Sequence, residues 1–373
     1  MRTTPASIAL ALLALSFAGR AVVADPPGLK PLDIGAPAPD FNLPGVDGRN
    51  HTLQDYGSAR ALVVVFTCNH CPTAQAYEAR LAKLHDDYKD KGVALVAISP
   101  NDAKAVRLDE LGYTDLGDSL EDMKIRARDH KYAYPYLYDG DTQATSKAYG
   151  ALATPHVFIF DADRKLRYQG RFDDGEVKAI KSHDALDALQ AVLAGKTVER
   201  STTRVFGCST KWAEKQADAV KSLEKWDAEP VAIEPISLQG VAKLAKNETD
   251  KYTVVNVWAT WCGPCVQELP EFVTMNRMYR KRPFQLITIS LDDPAKKAEA
   301  LATLKEKHVS SLNYILDSAD RDAFAEALDP KWPGPVPYTL VIAPGGEVVY
   351  RKSGGVDPLE LKRAIVEKIG RTY

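Results

Sequence analysis

The chain has 373 residues, with 48 lysines and arginines against 50 aspartates and glutamates, and a formal net charge of −2 at pH 7. A chain so close to neutral has no general basic surface for phosphate groups, which argues against nucleic acid as a partner. Hydrophobic residues make up 45% and charged residues 26%, an ordinary globular balance. The length predicts about two domains of roughly 150 residues each.

The first 24 residues have the pattern of an export signal. Arg2 supplies a positive charge, and the apolar run over residues 8–18 is too short to span a bilayer, which takes about 20 residues. Small residues at positions 22 and 24 suit cleavage after Ala24. We therefore predict a signal peptide over residues 1–24 and a periplasmic or otherwise extracytoplasmic protein without stable insertion in a membrane.

A predicted buried strand leads into the first of two cysteine pairs. The apolar run over residues 61–67 ends at Cys68-Asn69-His70-Cys71-Pro72, and a helix with three- and four-residue apolar spacing follows. The later elements of this unit are predicted strands at 93–99, 156–160 and 166–169, a Thr154-Pro155 step, and a helix near 183–193.

A helical linker is predicted over residues 208–235. Trp212, Val220 and Leu223 fall on one helical face, the helix should end before Pro230, and residues 229–235 are the predicted hinge. The linker also contains Cys208, which belongs to neither of the two cysteine pairs.

The second unit repeats the order of the first. Its elements are a predicted strand at 252–258, the sequence Cys262-Gly263-Pro264-Cys265 with a helix after it, strands at 284–290, 338–342 and 347–350, a Val336-Pro337 step, and a closing helix at 358–369. Strands that alternate with helices predict an α/β fold with a central sheet flanked by helices in each domain. Two close cysteine pairs favour redox chemistry over a structural disulfide framework.

This arrangement resembles the thioredoxin superfamily over nearly the whole predicted mature chain. In that family a cis-proline lies beside the Cys-x-x-Cys site, and Pro155 and Pro337 match it. The cysteine-to-proline intervals are longer than in plain thioredoxin, which indicates an inserted strand–helix element. Residues 32–207 therefore resemble an AhpC/TSA (peroxiredoxin-like) redoxin, and residues 236–373 resemble a TlpA/ResA-like domain.

The positions of the cysteines predict their roles in thiol–disulfide exchange. A helix N-terminus carries roughly half a positive charge, so the first cysteine of each pair should be exposed and have a lowered pKa. Cys68 and Cys262 are the predicted nucleophiles, and Cys71 and Cys265 are the predicted resolving thiols. This chemistry needs no cofactor and no metal.

Two further side chains are predicted to tune these sites. Glu268 lies one turn after Cys265 and matches the Glu-x-Pro of TlpA/ResA-like proteins, so it can accept the proton of the resolving thiol; an exposed glutamate without a role is the alternative. His70 precedes Cys71, as a histidine precedes the second cysteine in the oxidase DsbA, and can stabilise the Cys68 thiolate. The first pair is therefore predicted to be the more oxidising and the second pair to be reducing.

The role of Cys208 stays open between pairing with Cys68 or Cys71, plain packing and an intermolecular disulfide. The resemblance implies protein thiols or disulfides as substrates, and a membrane thiol reductant of the DsbD/CcdA type as electron donor.

Two other functions are weighed for the first pair. A thiol peroxidase of this family needs Thr or Ser three residues before its reactive cysteine, where this chain has Val65. The other is copper or zinc binding through Cys68, His70 and Cys71, with Cys208 as a further ligand.

Overall fold

The computed structural model describes residue 26 and residues 28–177 and 180–370. The predicted signal peptide, residues 1–24, lies outside these residues. Each half of the described chain has its own main sheet flanked by helices, which confirms the predicted α/β architecture with two thioredoxin-like units. In the part of the chain that is described, no helix combines the length and the apolar character needed to cross a bilayer.

Strands and helices alternate in the first half of the chain. The strands are β1 (Asn42–Pro44), β2 (Asn50–Thr52), β3 (Ala61–Phe66), β4 (Val93–Ser99), β5 (Tyr136–Tyr138), β6 (Ala153–Thr154), β7 (His156–Phe160), β8 (Leu166–Gly170) and β9 (Cys208–Ser209). The α-helices are α1 (Pro72–Tyr88), α2 (Leu120–Asp129), α3 (Ala144–Tyr149), α4 (Asp184–Leu193) and α5 (Gln216–Asp227).

The main sheet of this half has the strand order β5-β4-β3-β7-β8. Strand β3 lies at its centre, parallel to β4 and antiparallel to β7. All six residues of β3 are buried because both faces of the sheet are covered. Val63 and Val65 pack with Tyr77 of α1 on one face, whereas Val64 and Phe66 belong to a separate cluster on the other. The strand that leads to Cys68 is therefore held firmly on both sides.

The second half repeats this plan, with a main sheet of six strands where that of the first half has five. Its strands are β10 (Glu234–Ile236), β11 (Tyr252–Trp258), β12 (Phe284–Ser290), β13 (Leu312–Leu316), β14 (Tyr338–Ile342) and β15 (Val348–Ser353). Its α-helices are α6 (Leu238–Lys246), α7 (Gly263–Tyr279), α8 (Lys297–Glu306), α9 (Arg321–Leu328) and α10 (Pro358–Ile369). The sheet has the order β10-β13-β12-β11-β14-β15, so β11, which leads to Cys262, has two paired neighbours as β3 has.

The segment between the two sheets is only partly a linker. Helix α5 ends at Asp227, before Pro230, as the sequence predicts. Strand β9 pairs with β6 of the first half, and β10 pairs with β13 of the second. The predicted hinge is therefore wrong for Glu234 and Pro235, because both residues form an edge strand. The domain limits 32–207 and 236–373 stay a prediction.

The two halves touch at the C-terminal end of α7. The Tyr279 hydroxyl donates a hydrogen bond to the Thr114 carbonyl at 3.1 Å, Lys281 pairs with Asp109, and Leu108 packs on the core cluster around α7. Helix α7 has 17 residues, so about 25 Å at 1.5 Å per residue separates this contact from the cysteine end of the helix.

Candidate active sites at the two cysteine pairs

The second cysteine pair lies at the junction between β11 and α7. Cys262 and Cys265 are joined by a disulfide. Cys262 is the N-cap residue of α7, and its Sγ accepts a hydrogen bond from the Cys265 N–H at 3.3 Å. Cys262 is only 6% exposed, so the predicted exposure of this thiol is wrong in extent. Trp261, the residue before Cys262, is 67% exposed.

The proline predicted to lie beside this pair is in the expected isomer. The Val336–Pro337 peptide bond is cis. Tyr338, the next residue, pairs with Val257 near the end of β11. Val336 packs against the apolar cluster that contains both cysteines. The sheet register therefore brings the cis bond to the disulfide.

Glu268 is partly buried, so the alternative of an exposed surface glutamate is wrong. Its Oε1 accepts a hydrogen bond from Asn256 Nδ2 at 3.0 Å, and its Oε2 accepts one from the Val356 N–H at 3.2 Å. Burial raises the pKa of Glu268, and these two hydrogen bonds offset only part of that shift. A carboxyl group with a raised pKa is better suited to exchange a proton near neutral pH.

The first cysteine pair contains two free thiols below the surface. Cys68 is 2% exposed and Cys71 is fully buried, so the predicted exposure of Cys68 is wrong. Cys68 Sγ lies 3.2 Å from Thr154 Oγ1, and the Cys71 thiol donates to the Thr154 carbonyl at 3.2 Å. The Thr154–Pro155 bond is cis, so the predicted cysteine–proline juxtaposition exists here too.

The two pairs differ in where their helix begins. Helix α1 starts at Pro72, which makes Cys71 its N-cap, whereas the N-cap of α7 is the first cysteine of its pair. The positive end of the α1 dipole therefore faces Cys71 and not Cys68. The sequence prediction that Cys68 is the thiolate of this pair does not match that geometry.

The charge distribution around the pair agrees with this assignment. Burial, the hydrogen bond with Cys71 and the charge of Asp118 raise the pKa of Cys68. Burial alone would raise the pKa of Cys71 as well. Hydrogen bonds from the Cys208 and Cys68 thiols, together with the charge of His70, have the larger effect and lower the pKa of Cys71 well below its ordinary value.

His70 is paired with a buried carboxylate that the sequence did not reveal. His70 Nδ1 lies 2.5 Å from Asp118 Oδ2 and 3.6 Å from Cys68 Sγ. Asp118 Oδ1 accepts hydrogen bonds from the backbone N–H groups of Asn69 and His70, both at 3.0 Å. Asn101 Nδ2 donates to Asp118 Oδ2 at 2.7 Å. Asp118 thus holds the loop between the two cysteines as well as the imidazole.

This pairing favours a charged imidazole. Burial alone would lower the pKa of His70, but the charge and hydrogen bond of Asp118 raise it. Burial would raise the pKa of Asp118, but His70 and Asn101 lower it. His70 Nε2 is buried and has no hydrogen-bond partner among the described residues. His70 can therefore act on the thiols as a positive charge held in place.

Cys208 joins this site through a short strand pair. Strand β9 places Cys208 opposite Thr154, and the Cys208 N–H donates to Cys71 Sγ at 3.4 Å. The Cys208 side chain packs against the apolar cluster of Cys68, Cys71 and Ala74. Sequence reasoning left this residue open, and the structure brings its thiol to the pair.

A strand–Cys-x-x-Cys–helix unit followed by a cis-proline, present twice, defines a two-domain protein of the thioredoxin superfamily. Residues 34–169 and 231–351 each match the AhpC/TSA family, so the chain belongs to that family. The predicted resemblance of the first unit to AhpC/TSA redoxins is therefore confirmed, and the second unit matches the same family.

Individual relatives share a modest part of the sequence. Thiol-disulfide oxidoreductase ResA of Geobacillus kaustophilus is 26% identical over 113 residues, which are 30% of this chain and 60% of that protein. This chain thus spans less than two thirds of that ResA. Peroxiredoxin Bcp of Escherichia coli K12 is 27% identical over 158 residues, which are 42% of this chain and 95% of Bcp. The crystal structure of an uncharacterized conserved protein from Geobacillus kaustophilus is 40% identical, with a TM-score of 0.43, and covers 48% of this chain and 92% of that one.

Proposed function

We propose that this chain is an exported thiol–disulfide oxidoreductase with two active sites, Cys262–Cys265 and Cys68–Cys71. The observation that carries the proposal is the disulfide at the N-terminus of α7, with a cis-proline and a partly buried carboxyl group around it. The substrates are protein thiols and disulfides, and a membrane thiol reductant of the DsbD/CcdA type is the proposed electron donor.

The second site acts as the reducing one. In the reduced protein the Cys262 thiolate attacks a sulfur of a partner's disulfide, and the other partner sulfur leaves as a thiolate. Cys265 then loses its proton to Glu268 and attacks Cys262 Sγ, which re-forms the disulfide and releases the partner's second thiol. We propose that Pro337, which follows a residue packed on the cluster of both cysteines, shapes the surface that a partner chain meets.

The first site is proposed to be the more oxidising. Stabilisation of the Cys71 thiolate by His70 and by the helix N-terminus favours the reduced form of the pair, and a favoured reduced form makes the disulfide a stronger oxidant. Because the first domain contacts the far end of α7, we propose that the two sites serve partners separately.

The order of the two reduction potentials tests this proposal. We expect both pairs of the full chain to equilibrate reversibly with glutathione, and Cys68–Cys71 to stay reduced at ratios of oxidised to reduced glutathione that already oxidise Cys262–Cys265. Alkylation and mass spectrometry of the two peptides report each pair in one sample. A first pair that is harder to reduce than the second would overturn the proposed order, and a pair that never forms a disulfide would remove that site.

Glu268→Gln is expected to slow disulfide reduction by the second site about a hundredfold near neutral pH, because the proton acceptor for Cys265 is lost. The pKa of Glu268 is raised, so the wild-type rate should fall as the pH drops through that raised pKa and the carboxylate becomes protonated. The variant should lack this step in its pH profile. Glu271→Gln, at an exposed position of the same helix, is the matched control and should keep both rate and profile. Equal profiles for Glu268→Gln and wild type would exclude the proposed proton transfer.

Metal binding at the first pair has one observation in its favour. Ligand atoms of Cys68, His70 and Asp118 lie within 4.8 Å of one another. However, His70 Nδ1 and Asp118 Oδ2 already form a hydrogen bond of 2.5 Å, and Asp118 accepts three more hydrogen bonds. A metal ion would have to break this network, so we propose disulfide exchange for this pair.

Peroxide reduction is the other alternative, and the similarity to peroxiredoxin Bcp favours it. The position where a peroxidase of this family needs Thr or Ser is Val65, which is buried in the core of the sheet. The hydroxyl group that contacts Cys68 comes from Thr154 of another strand. We therefore propose exchange with protein thiols as the activity of this pair as well.

A further inference from the structure

Three cysteine thiols meet in the first domain, and they differ in how close they come to the surface. Cys68 is 2% exposed and Cys71 is fully buried. Cys208 is only half-buried. A partner protein that exchanges a disulfide with this site can therefore reach Cys208 more easily than either cysteine of the pair.

The backbone around Cys208 is built for a close approach to the pair. Gly207 has a φ of 137°, and a Cβ at this position would lie 2.1 Å from the Thr154 carbonyl oxygen. Any side chain there would collide with the backbone of β6, so glycine lets the strand carrying Cys208 lie directly beside Thr154. This contact sets the Cys208 N–H against Cys71 Sγ.

The segment after Cys208 is anchored to the first domain. Thr210 Oγ1 donates to the Ala151 carbonyl at 2.8 Å, and the Lys211 N–H donates to Asn101 Oδ1 at 2.8 Å. The Lys211 ammonium group pairs with Glu110 at 2.6 Å, although Lys211 is almost fully buried. Because these contacts hold the two residues after Ser209, and β9 pairs with β6, the position of Cys208 is fixed by the fold.

Cys71 lies between the other two thiols. Cys68 and Cys71 are the two cysteines of one Cys-x-x-Cys unit, and Cys71 Sγ accepts the Cys208 N–H at 3.4 Å within the same apolar cluster. Thiol–disulfide exchange requires that the attacking sulfur can approach the sulfur that it attacks, and this cluster brings the three side chains together. Cys71 is thus the cysteine that can form a disulfide with either neighbour.

We propose that Cys208 is a third redox-active cysteine, and that the disulfide of the first site moves between Cys68–Cys71 and Cys71–Cys208. This inference rests on the proposed function. In the first step the Cys208 thiolate attacks Cys71 Sγ, the Cys68–Cys71 bond breaks, and its electron pair leaves on Cys68. One disulfide replaces another, so this step needs no outside oxidant.

The second step oxidises a protein dithiol at the surface. One thiolate of the partner attacks Cys208 Sγ, and Cys71 leaves as the thiolate, which its lowered pKa favours. The partner's second thiol then attacks the partner's own sulfur in the mixed disulfide and releases Cys208. Two electrons and two protons pass from the partner to the site, the partner gains a disulfide, and all three cysteines end as thiols.

Disulfide mapping of the full chain tests this inference. Cys262→Ser and Cys265→Ser are introduced together so that the second pair contributes no disulfide, and the protein is oxidised with glutathione disulfide and mapped by mass spectrometry. In this background Cys68→Ser should form the Cys71–Cys208 disulfide in most molecules. Cys208→Ser should form only Cys68–Cys71, and Cys71→Ser should form neither.

A matched control moves the thiol by one residue. Side chains of neighbouring strand residues point to opposite sides, so the pair of changes Cys208→Ser and Ser209→Cys, combined with Cys68→Ser, should leave no disulfide to Cys71. The background protein, which keeps all three first-site cysteines, shows whether a result is due to a folding defect of a variant. Some of its molecules should contain Cys68–Cys71 and the others Cys71–Cys208.

The outcomes separate this inference from the proposed function. If Cys208→Ser forms Cys68–Cys71 but neither Cys68→Ser nor the background protein contains Cys71–Cys208, the third cysteine is refuted and the proposed function stands. If no protein forms any disulfide at Cys71, the redox function of the first site fails together with this inference.

Discussion

Replacing Cys262 by serine is expected to reduce the insulin-disulfide reduction catalysed by the second site to the background rate of dithiothreitol alone. Only a thiolate can attack the partner's sulfur, and a serine hydroxyl cannot take its place. The site around the residue should survive, because serine can still cap α7 and accept the Cys265 N–H. The measurement is the turbidity of reduced insulin over time, with the unfolding midpoint as a check on the fold.

The matched variant for this prediction is Cys68→Ser at the other pair. It should lose only the part of the insulin-reducing activity that the first site contributes. The two variants together therefore show how much of the activity each site provides. If Cys262→Ser retains the full rate, the disulfide at the N-terminus of α7 is structural, and the proposed role of the second site is wrong.

Asp118→Asn is expected to lower the free energy of unfolding by about 3 kcal/mol or more. Removing one partner of a buried ion pair leaves the other charge uncompensated, which costs about 3–5 kcal/mol. Asp118 is 1% exposed and receives four hydrogen bonds, so an amide NH₂ group in place of one oxygen would face donors from His70 and Asn101. Urea-induced unfolding of the full chain measures the change.

The same variant has an expected pH dependence. The pKa of His70 is raised from 6.5, so its contribution to stability is complete below pH 6.5 and is lost as the pH rises through the raised value. The pKa of Asp118 is lowered from 3.8, so its contribution is complete above pH 3.8 and is lost as the pH falls through the lowered value. The difference between Asp118→Asn and wild type should therefore be largest between these two pH values.

Asp141→Asn is the control for both measurements. Asp141 is an exposed aspartate of the same domain, and a surface substitution of this kind should change the stability by no more than about 0.5 kcal/mol. If Asp118→Asn is as stable as this control at every pH, the His70–Asp118 pair carries no charge in the folded protein, and the electrostatic account of the first site fails.

The buried strands were predictable because their sequences are unambiguous. β3 is a continuous apolar run, β11 is apolar apart from Thr253 and Asn256, and a cysteine pair follows each strand; the structure places each strand within one residue of its prediction. Helix α2 has no such signal, since its ten residues are mostly charged and only Met123, Arg126 and Ala127 are buried. The packing of these three residues against the rest of the domain defines that helix, and local pattern does not reveal it.

The prediction that Cys68 lies at the N-terminus of its helix was wrong for a reason that the sequence contains. Proline is favoured in the first turn of a helix, where its missing N–H costs nothing. Pro72 follows the second cysteine, whereas Pro264 lies between the two cysteines of the other pair. The placement of proline thus indicates a later start for α1. Counted from the first cysteine of each pair, α1 begins three residues later than α7, and Cys71 is its N-cap.

Asp118 and Cys208 depend on the tertiary structure. Asp118 lies in a loop just before α2, far along the chain from His70, and no local motif marks it as a partner of the histidine. Cys208 follows the last helix of the first unit and reaches Cys71 only through the pairing of β9 with β6. Residue type suggested that each of the five cysteines could react, but only the fold determines which of them meet.

Trapping with Cys265→Ala is the most direct measurement of the central claim that these cysteines exchange disulfides with other proteins. Without its resolving thiol, Cys262 should stay bound to a partner through a mixed disulfide, which non-reducing electrophoresis detects as an adduct that dithiothreitol releases. We expect such adducts from cells that express Cys265→Ala, and none once Cys262→Ser is added. If Cys265→Ala forms no adduct at Cys262, with cellular proteins or with purified insulin, the second site does not react with protein disulfides.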